Sequence, residues 1–411
     1  MWSSNTITTI DIWSSKIRTI IWYFDKERND DFNILGVGIS NSTAMRKWNI
    51  LDMEEFKKNL DSSLEEAEKM AWEHVSGAYV SFNSSSFEVI RSKGIISISG
   101  SEVSEEDIER ALDKAKSWVD MPNKEILKVV PENFVVDLEE WIKNPVWMTA
   151  RKLEVVANIF SMNLNVLTNI KKAVSDIGIE IYDIYPNLLS SPEWVLTKRQ
   201  KELWVVCIDI WASTTWLTVY ENWVLHFSTI IPIWGDNVTN DIALWLRTST
   251  GVAEKIKLEY AELDLENKEW FTDSEFDLAE LNMWEEWAVS REYLSKIVTA
   301  RYEEIFHFVR EELKKIWKDG MLPEWAVCVW WASKMKWFVE SSKKWLRLPV
   351  FIGLPVSQDD LVDASISDPV FSAVIWTMIF SNMYWNSWPM FSINISWFIE
   401  SLKKLFKKLL P

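Results

Sequence analysis

The sequence predicts an α/β fold built from two related halves, because one pattern of strand, tight turn and returning strand occurs twice. Residues 7–24 contain the first copy and residues 205–220 contain the second, about 200 positions later. Each copy has two short runs rich in β-branched residues, and a carboxylate, Asp11 or Asp209, lies at the end of the first run. Segments with helical periodicity alternate with further strand-like runs, as in proteins that pack helices on sheets. We therefore expect two lobes.

Small and hydroxyl-bearing side chains fill both turns. Successive backbone N–H groups in such a turn form a cradle for phosphate, and a nearby carboxylate holds Mg²⁺ through bound water. We predict that ATP lies between the two halves, that the turns clamp its β- and γ-phosphates, and that Asp11 and Asp209 are the catalytic and Mg²⁺-holding residues. The turn residues are Ser14, Ser15, Lys16, Ala212, Ser213, Thr214 and Thr215.

Tryptophan occupies positions where glycine is expected. The chain has 28 Trp and only 10 Gly, whereas glycine alone usually makes up about 7% of a sequence. Trp223 follows Asn222 at a two-residue hairpin loop, which needs positive φ at both positions. Trp234 and Gly235 occupy a place where paired glycines are expected. Trp345 is expected to end a lysine-rich helix, where a C-cap glycine belongs. We interpret most of these tryptophans as glycines in the natural protein, from UGA codons that some bacteria decode as glycine. The alternative is a Trp-rich protein that binds sugars or a membrane interface.

With tryptophan exchanged for glycine, four segments become motifs. Residues 9–22 become TIDIGSSKIRTIIG, residues 205–220 become VVCIDIGASTTGLTVY, residues 233–248 become IGGDNVTNDIALGLRT, and residues 327–337 become VCVGGASKMKG. In this order and spacing they resemble the FtsA family of actin-like bacterial division proteins across essentially the full length. The resemblance implies an actin-like ATPase fold, which is a duplicated ribonuclease-H-like fold with two lobes around a nucleotide cleft.

The resemblance extends the nucleotide site beyond the two turns. Residues 330–334, read as GGASK, match the adenosine-binding turn, and Glu254 and Lys257 match positions that contact the nucleoside in actin-like ATPases. An exposed ion pair one helical turn apart explains Glu254 and Lys257 equally well. The superfamily often has Asp where this chain has Trp216. The absence of that polar group argues against fast hydrolysis but not against nucleotide binding. The further candidate residues are Trp211, Gly235, Trp330, Trp331, Ala332, Ser333 and Lys334.

Composition limits the classes of function. A net charge of −17 argues against a nucleic-acid surface. Cys207 and Cys328 each lie in a predicted core strand, so we expect small buried side chains in a reducing compartment. Three scattered histidines argue against a zinc site. The N-terminus shows no signal peptide, and the most apolar stretch, residues 370–380, is too short to span a bilayer.

The expected domain organisation follows the resemblance. Two subdomains of the first lobe are expected, with 1C inserted into 1A, and two of the second, 2A and 2B. The motif NPVWM, read as NPVGM, resembles the family's 1C insert, although an ordinary structural insertion is the alternative. The expected ranges are 1–85 and 162–200 for 1A, 86–161 for 1C, 201–232 and 301–365 for 2A, 233–300 for 2B, 366–385 for a helix that returns to 1A, 386–397 for a linker and 398–411 for a terminal helix.

The local pattern also predicts particular elements. Asp52 caps one helix, Ser104 opens a capping box, and Ser290 caps another helix. A further helix is expected from about Arg151. Residues 262–287 are expected to form a loop or a short hairpin.

The terminal segment, FIESLKKLFKKLLP, is basic and amphipathic. Apolar residues recur at helical spacing and lysines fill the flank, which is typical of an in-plane membrane anchor on anionic lipids. Packing of this helix within the protein is the alternative. The membrane-binding candidates are Phe398, Ile399, Leu402, Lys403, Lys404, Leu405, Phe406, Lys407, Lys408 and Leu409.

The resemblance implies a filament-forming, ATP-binding protein that links the FtsZ ring to the cytoplasmic membrane at the septum. Its expected partners are the C-terminal tail of FtsZ, further copies of itself, anionic inner-leaflet lipids and later division proteins. Arg301 marks the expected docking face for the FtsZ tail. PilM, an actin-fold ATPase of pilus assembly, is the nearest alternative, and a sugar kinase or phosphatase of the same superfamily is a more distant one.

Overall fold

The computed structural model describes residues 6–13, 16–25, 31–42, 44–46, 49–82, 84–119, 121–211, 214–233, 235–265, 274–280, 287–329 and 335–353. These residues divide into two compact units, one that runs up to Pro186 and one that begins at Asn187. The expected return helix, linker and terminal helix lie outside the described residues. Among the described helices, none combines the length and apolarity that a membrane span requires.

The first unit contains a five-stranded mixed sheet and an inserted four-stranded sheet. The strand order is β11-β6-β1-β2-β3 in the first sheet and β7-β10-β8-β9 in the inserted one. The elements are β1 (Thr6–Ile12), β2 (Lys16–Asp25), β3 (Asp31–Asn41), β4 (Met45–Arg46), β5 (Asn49–Ile50), α1 (Met53–Ala71), β6 (Gly77–Phe82), β7 (Glu88–Ser97), α2 (Glu105–Ser117), β8 (Lys124–Val136), β9 (Glu139–Ile142), β10 (Lys152–Asn163), α3 (Leu164–Asp176) and β11 (Glu180–Pro186).

Helix α1 covers one face of the first sheet. The Asp52 side chain accepts the N–H groups of Glu54 and Glu55, each at 3.0 Å, which confirms the predicted cap. The buried face of the helix packs close to β3, where a Cβ atom at Gly38 would collide with the carbonyl oxygen of Ser63. Glycine in this strand therefore lets helix and sheet approach closely.

The inserted sheet packs one face on α2. The predicted capping box at Ser104 is present, because its hydroxyl accepts the N–H of Asp107 and the Asp107 carboxylate accepts the N–H of Ser104. The helix expected from about Arg151 is wrong, since β10 occupies Lys152–Asn163 and pairs with both β7 and β8. Nine of its twelve residues are buried, so its apolar run belongs to a central strand and shows no helical period.

The second unit is built on one five-stranded sheet, in the order β14-β13-β12-β17-β18. Its elements are α4 (Asn187–Val195), α5 (Lys198–Glu202), β12 (Val205–Ile210), β13 (Thr215–Glu221), β14 (Val224–Ile231), α6 (Gly235–Leu246), α7 (Thr250–Tyr260), β15 (Glu275–Asp277), a 3-10 turn (Leu278–Glu280), β16 (Ala288–Ser290), α8 (Arg291–Lys315), β17 (Ala326–Val329), α9 (Phe338–Leu346) and β18 (Val350–Ile352).

Two features of this unit differ from expectation. Helices α4 and α5 belong to the second unit, because they contact β12, β13 and β17, whereas the expected division began the second half at residue 201. Trp345 does not end a helix. It is buried inside α9, and Arg347 is the left-handed C-cap instead. The cap expected at Ser290 is confirmed by its bond to the N–H of Tyr293.

Seven tryptophans adopt the left-handed backbone conformation. Thirteen described residues other than glycine have positive φ, and the seven that are tryptophan have φ between 55° and 73°. A bulky residue is an outlier in this region, whereas glycine adopts it without steric cost. This geometry supports the interpretation of these tryptophans as glycines, which stays a prediction. They are Trp72, Trp141, Trp147, Trp223, Trp317, Trp325 and Trp337.

We predict that Trp72→Gly raises the free energy of unfolding by about 1 kcal/mol, because the residue is the left-handed C-cap of α1 and its side chain is 94% exposed. Trp118→Gly is the matched control, since Trp118 caps α2 with helical φ of −84° and is also exposed. Urea unfolding of both variants measures the effect. A gain that is equal at the two positions would contradict a conformational cause.

Candidate nucleotide site

In the first unit, Asp11 lies fully buried near the end of β1. The Ser81 hydroxyl, on the neighbouring parallel strand β6, donates to Asp11 Oδ1 at 2.8 Å. Ser14 and Ser15, the expected phosphate contacts of this hairpin, lie outside the described residues. Lys16 begins β2 and is exposed. The strand–turn–strand pattern therefore places a carboxylate in the interior at the predicted position.

Arg18 is a candidate that the sequence pattern missed. It pairs with Asp11 across β1 and β2, and only 4% of the residue is exposed. Its guanidinium carbon lies 3.7 Å from the centre of the Trp13 ring. A cation within a run of β-branched residues was the available signal, because such a residue is almost never buried without a partner. The structure thus sets opposite charges side by side at the first hairpin.

In the second unit, Asp209 lies at the corresponding position on β12. It is buried, and its Oδ1 atom has no hydrogen-bond partner among the residues that the structure describes. Its cross-strand neighbour on β13 is Trp216, which is also buried. Burial raises the pKa of Asp209 to about 7, because a charged carboxylate is disfavoured away from water.

The turn after β12 is tied to the start of α6. Trp211 N–H donates to the Thr214 carbonyl at 2.8 Å, and Gly235 N–H donates to the Trp211 carbonyl at 2.8 Å. Ala212 and Ser213 lie outside the described residues. The first turn of α6 therefore lies beside the hairpin, and the N-terminus of a helix favours anions.

The indole of Trp216 forms a hydrogen bond with a threonine hydroxyl of this turn. Trp216 Nε1 donates to Thr214 Oγ1 at 2.8 Å. Thr215 Oγ1 donates to the carbonyl of Ile233 at 2.5 Å. Both threonines are buried, so their hydroxyls serve the protein's own structure here.

A polar cluster joins α6 to α7. Lys257 Nζ lies 2.8 Å from Thr239 Oγ1 and 2.6 Å from Glu254 Oε2, and the Thr239 hydroxyl also donates to Glu254 at 2.5 Å. Lys257 is 5% exposed and the Glu254 side chain 42%, so the pair is not the solvent-exposed one that was the alternative. Nearby Asp236 has a pKa raised to about 6 by burial, and Lys257 partly offsets this shift. The cluster gathers charge at one end of α6.

The expected adenosine turn follows β17. Residues 330–334, which include Trp330, Trp331, Ala332, Ser333 and Lys334, lie outside the described residues. Strand β17 runs parallel to β12, and Val329 is the register partner of Asp209. The chain therefore leaves β17 level with the buried carboxylate.

The donor set fits magnesium better than a metal that needs many protein ligands. No group of three or more His, Cys, Asp and Glu side chains suited to a metal occurs in the part of the chain that the structure describes. Mg²⁺ keeps most of its water and uses few carboxylates. The orphaned Oδ1 of Asp209 is an acceptor that a hydrated cation can satisfy.

Arg301 lies on α8 of the second unit and faces α6. Its guanidinium bonds both oxygens of Asp241, at 2.6 and 2.9 Å, and contacts Glu304. It lines an open cavity of about 350 Å³, and a second cavity of about 560 Å³ shares two of its lining residues, Trp245 and Tyr293. The first cavity is lined by Asp241, Trp245, Tyr293, Lys296, Ile297, Ala300, Arg301 and Glu304.

Two family models match the chain. Residues 84–161 match the SHS2 domain inserted in FtsA, and residues 206–375 match the cell division protein FtsA. FtsA of Bacillus subtilis is 30% identical over 313 residues, which cover 75% of this chain and 69% of that relative. The chain belongs to the FtsA family. FtsA of Pseudomonas aeruginosa is 29% identical over 382 residues, or 92% of this chain and 89% of the relative.

Solved structures show the actin-like fold of this FtsA-family chain. The PilM–PilN type IV pilus biogenesis complex contains a chain with a TM-score of 0.63 and 12% identity, which covers 91% of this chain and 97% of that one. MreB 5 of Spiroplasma citri, bound to AMPPNP, has a TM-score of 0.52 and 13% identity over 99% of this chain and 100% of that one. At these identities the likeness concerns the fold, so PilM is a structural neighbour and the FtsA interpretation holds.

We predict that Asp209→Asn changes how stability depends on pH. The folded-state pKa of Asp209, about 7, lies above that of an unfolded aspartate, about 4. Its contribution to stability is therefore present below about pH 4 and is lost as pH rises through about 7. Relative to the parent, the variant should gain on the order of 3 kcal/mol in free energy of unfolding between pH 4 and pH 8.

Urea unfolding at a series of pH values measures this difference. Asp236→Asn is the control. The pKa of Asp236 is raised only to about 6, so the change in stability that this substitution causes should occur at lower pH. If the free energy of unfolding depended on pH in the same way in the parent and in Asp209→Asn, burial would not have raised the pKa of Asp209.

Proposed function

We propose that this FtsA-family protein is an ATP-binding, actin-like filament former that anchors the FtsZ ring to the cytoplasmic membrane at the division septum. The family match over nine-tenths of the chain carries the proposal. The two hairpins, each with a buried carboxylate, support its nucleotide-dependent part. The chain then acts mainly as an assembly switch, with at most slow hydrolysis, since Trp216 stands where a polar residue is often found.

For the nucleotide, each unit supplies one carboxylate. Asp11 and Asp209 would hold Mg²⁺ through its waters, and the ion would neutralise phosphate charge and orient the phosphates. Arg18, opposite Asp11, adds a fixed cation at the first hairpin. The cluster of Thr239, Glu254 and Lys257 provides hydroxyl, carboxylate and ammonium groups suited to a nucleoside.

For the FtsZ tail, the two neighbouring cavities on the second unit are the proposed docking site. Two hydrogen bonds to the Asp241 carboxylate fix the orientation of the Arg301 guanidinium. Tyr293 is partly exposed and lines both cavities, which suits an apolar side chain of a peptide, whereas Trp245 beside it is one of the positions read as glycine. Lys296, on the same helix, suits a nearby carboxylate of the peptide. Later division proteins are expected to join the assembled complex.

For the membrane, residues 398–411 are the proposed anchor, and they lie outside the described residues. Four lysines against Glu400 give a local charge of +3, while the whole chain carries −17. Anionic inner-leaflet lipids attract the tail and repel the acidic body, so attachment is confined to the tail. Each lysine near the surface contributes about 1 kcal/mol.

We predict that the full chain, with ATP and Mg²⁺, brings FtsZ to vesicles that contain anionic lipid. A chain that ends at residue 397 should still bind ATP and the FtsZ tail peptide but leave FtsZ in solution. Vesicle flotation measures recruitment, and neutral vesicles are the control. Equal recruitment by the full and shortened chains would overturn the tail as the anchor.

We also predict that Tyr293→Ala lowers affinity for the FtsZ tail peptide at least tenfold, because a central aromatic contact is lost. Phe308→Ala is the matched control, since Phe308 lies on the same helix, is 38% exposed and lines neither cavity. Fluorescence anisotropy with a labelled peptide measures both affinities. Equal affinities for the two variants would place docking elsewhere.

A further inference from the structure

Helix α4 places the side chain of Ser191 in the core of the second unit. Leu188, Ser191 and Val195 follow one another at helical spacing and are all buried. The helix contacts β12, β13 and β17. A Cβ atom added at Gly353 would collide with Val329 of β17 and would also meet Val195, so α4 packs closely on this part of the sheet. Ser191 is therefore a hydroxyl group next to buried strands.

The Ser191 hydroxyl lies beside the carboxylate of Asp209 on β12. Burial raises the pKa of Asp209 to about 7, and the neighbouring Ser191 hydroxyl lowers it in part. Neither Ser191 Oγ nor Asp209 Oδ1 makes a hydrogen bond to any residue that the structure describes. A buried oxygen without a hydrogen bond is costly. The two oxygens therefore favour a polar group that bonds to both.

The first unit supplies a serine to its buried carboxylate from a strand. Ser81 of β6 is the register partner of Asp11, and its hydroxyl donates to Asp11 Oδ1 at 2.8 Å. In the second unit, the parallel strand β17 has the corresponding place, and the register partner of Asp209 is Val329. A valine side chain cannot donate a hydrogen bond. Helix α4 thus brings Ser191 to a carboxylate that lacks this donor on the neighbouring strand.

We propose that Ser191 is a positioning residue of the nucleotide site, whose hydroxyl and Asp209 together hold one water molecule of the hydrated Mg²⁺. Such a water has two O–H groups, and it can donate one to the carboxylate and one to the hydroxyl. Groups that bond to the ligands of a metal orient those ligands and strengthen metal binding. The inference rests on the proposed binding of ATP and adds a residue to that site.

Glycine at positions 211 and 216 would leave this arrangement in place. The Trp211 side chain also lowers the pKa of Asp209, which burial raises, and Trp216 is the cross-strand neighbour of Asp209. Both tryptophans are positions interpreted as glycine, whereas Ser191 is the same residue in either form of the protein. The parent for the experiments is therefore the full chain with Trp211→Gly and Trp216→Gly.

ATP binding at a series of Mg²⁺ concentrations tests the role of Ser191. Ser191→Ala should raise the free Mg²⁺ concentration at half-maximal ATP binding about tenfold, because a group that orients a metal-bound water is lost. ATP affinity measured in EDTA should stay within about twofold of the parent, since the hydroxyl acts through the metal. Ser191→Cys keeps nearly the same volume but bonds weakly, so it should show the same increase as Ser191→Ala.

Ser342→Ala is the matched control. Ser342 is also a buried serine on a helix, and its hydroxyl has no hydrogen-bond partner in the described part of the chain. Its helix, α9, packs on α8 and β18. The Mg²⁺ requirement of this variant should equal that of the parent. The urea midpoint of each nucleotide-free variant shows whether the fold is intact.

Three results would overturn the inference. An unchanged Mg²⁺ requirement in Ser191→Ala removes Ser191 from the site and leaves the proposed function intact. An equal loss of ATP affinity with Mg²⁺ and in EDTA would give Ser191 a structural role only. A parent that binds no ATP in the presence of Mg²⁺ counts against both the inference and the proposed function.

Mn²⁺, which can replace Mg²⁺, provides a second measurement. The electron paramagnetic resonance signal of free Mn²⁺ reports how much of the metal is bound when the protein is saturated with ATP. Ser191→Ala should raise the dissociation constant for Mn²⁺ about tenfold, whereas Ser342→Ala should leave it unchanged. Equal dissociation constants for Ser191→Ala and the parent would contradict a contact between Ser191 and the water of the metal.

Discussion

A carboxylate held away from water at the end of a strand is the constraint on which both units depend. In the first unit, strand pairing places Arg18 opposite Asp11, and the Ser81 hydroxyl donates to Asp11 Oδ1. In the second unit, Asp209 faces Trp216 and retains an oxygen without a hydrogen-bond partner among the described residues. The same hairpin thus buries one carboxylate in each unit, and a buried charge is costly unless a neighbouring group, a hydrated cation or a proton satisfies it.

Much of the fold follows from local pattern. Runs of β-branched residues on either side of a tight turn predicted the hairpins at Asp11 and Asp209, and capping residues at Asp52, Ser104 and Ser290 marked helix starts that the structure confirms. These features depend on a few neighbouring residues, so a single sequence contains the information. The expected range of the insert, 86–161, stays a prediction, and the family model of an SHS2 domain inserted in FtsA matches residues 84–161.

The errors have a common physical origin in contacts between distant residues. The segment expected to be a helix from Arg151 is a central strand, since two neighbouring strands bury it on both sides. Arg18 went unnoticed because its partner, Asp11, lies seven residues earlier and meets it only through strand pairing. The burial of Lys257 depends likewise on Thr239 from another helix. No local pattern contains these pairings.

The left-handed tryptophans concern the gene as well as the protein. If their codons specify glycine in the native cell, a host that inserts tryptophan produces a chemically different molecule from the same DNA. The difference falls at helix ends and loop corners, where Trp72, Trp147 and Trp317 expose most of their rings. Such a product would expose aromatic side chains that the natural molecule lacks, and exposed apolar surface promotes aggregation. The choice of expression host would then decide how the purified material behaves in solution.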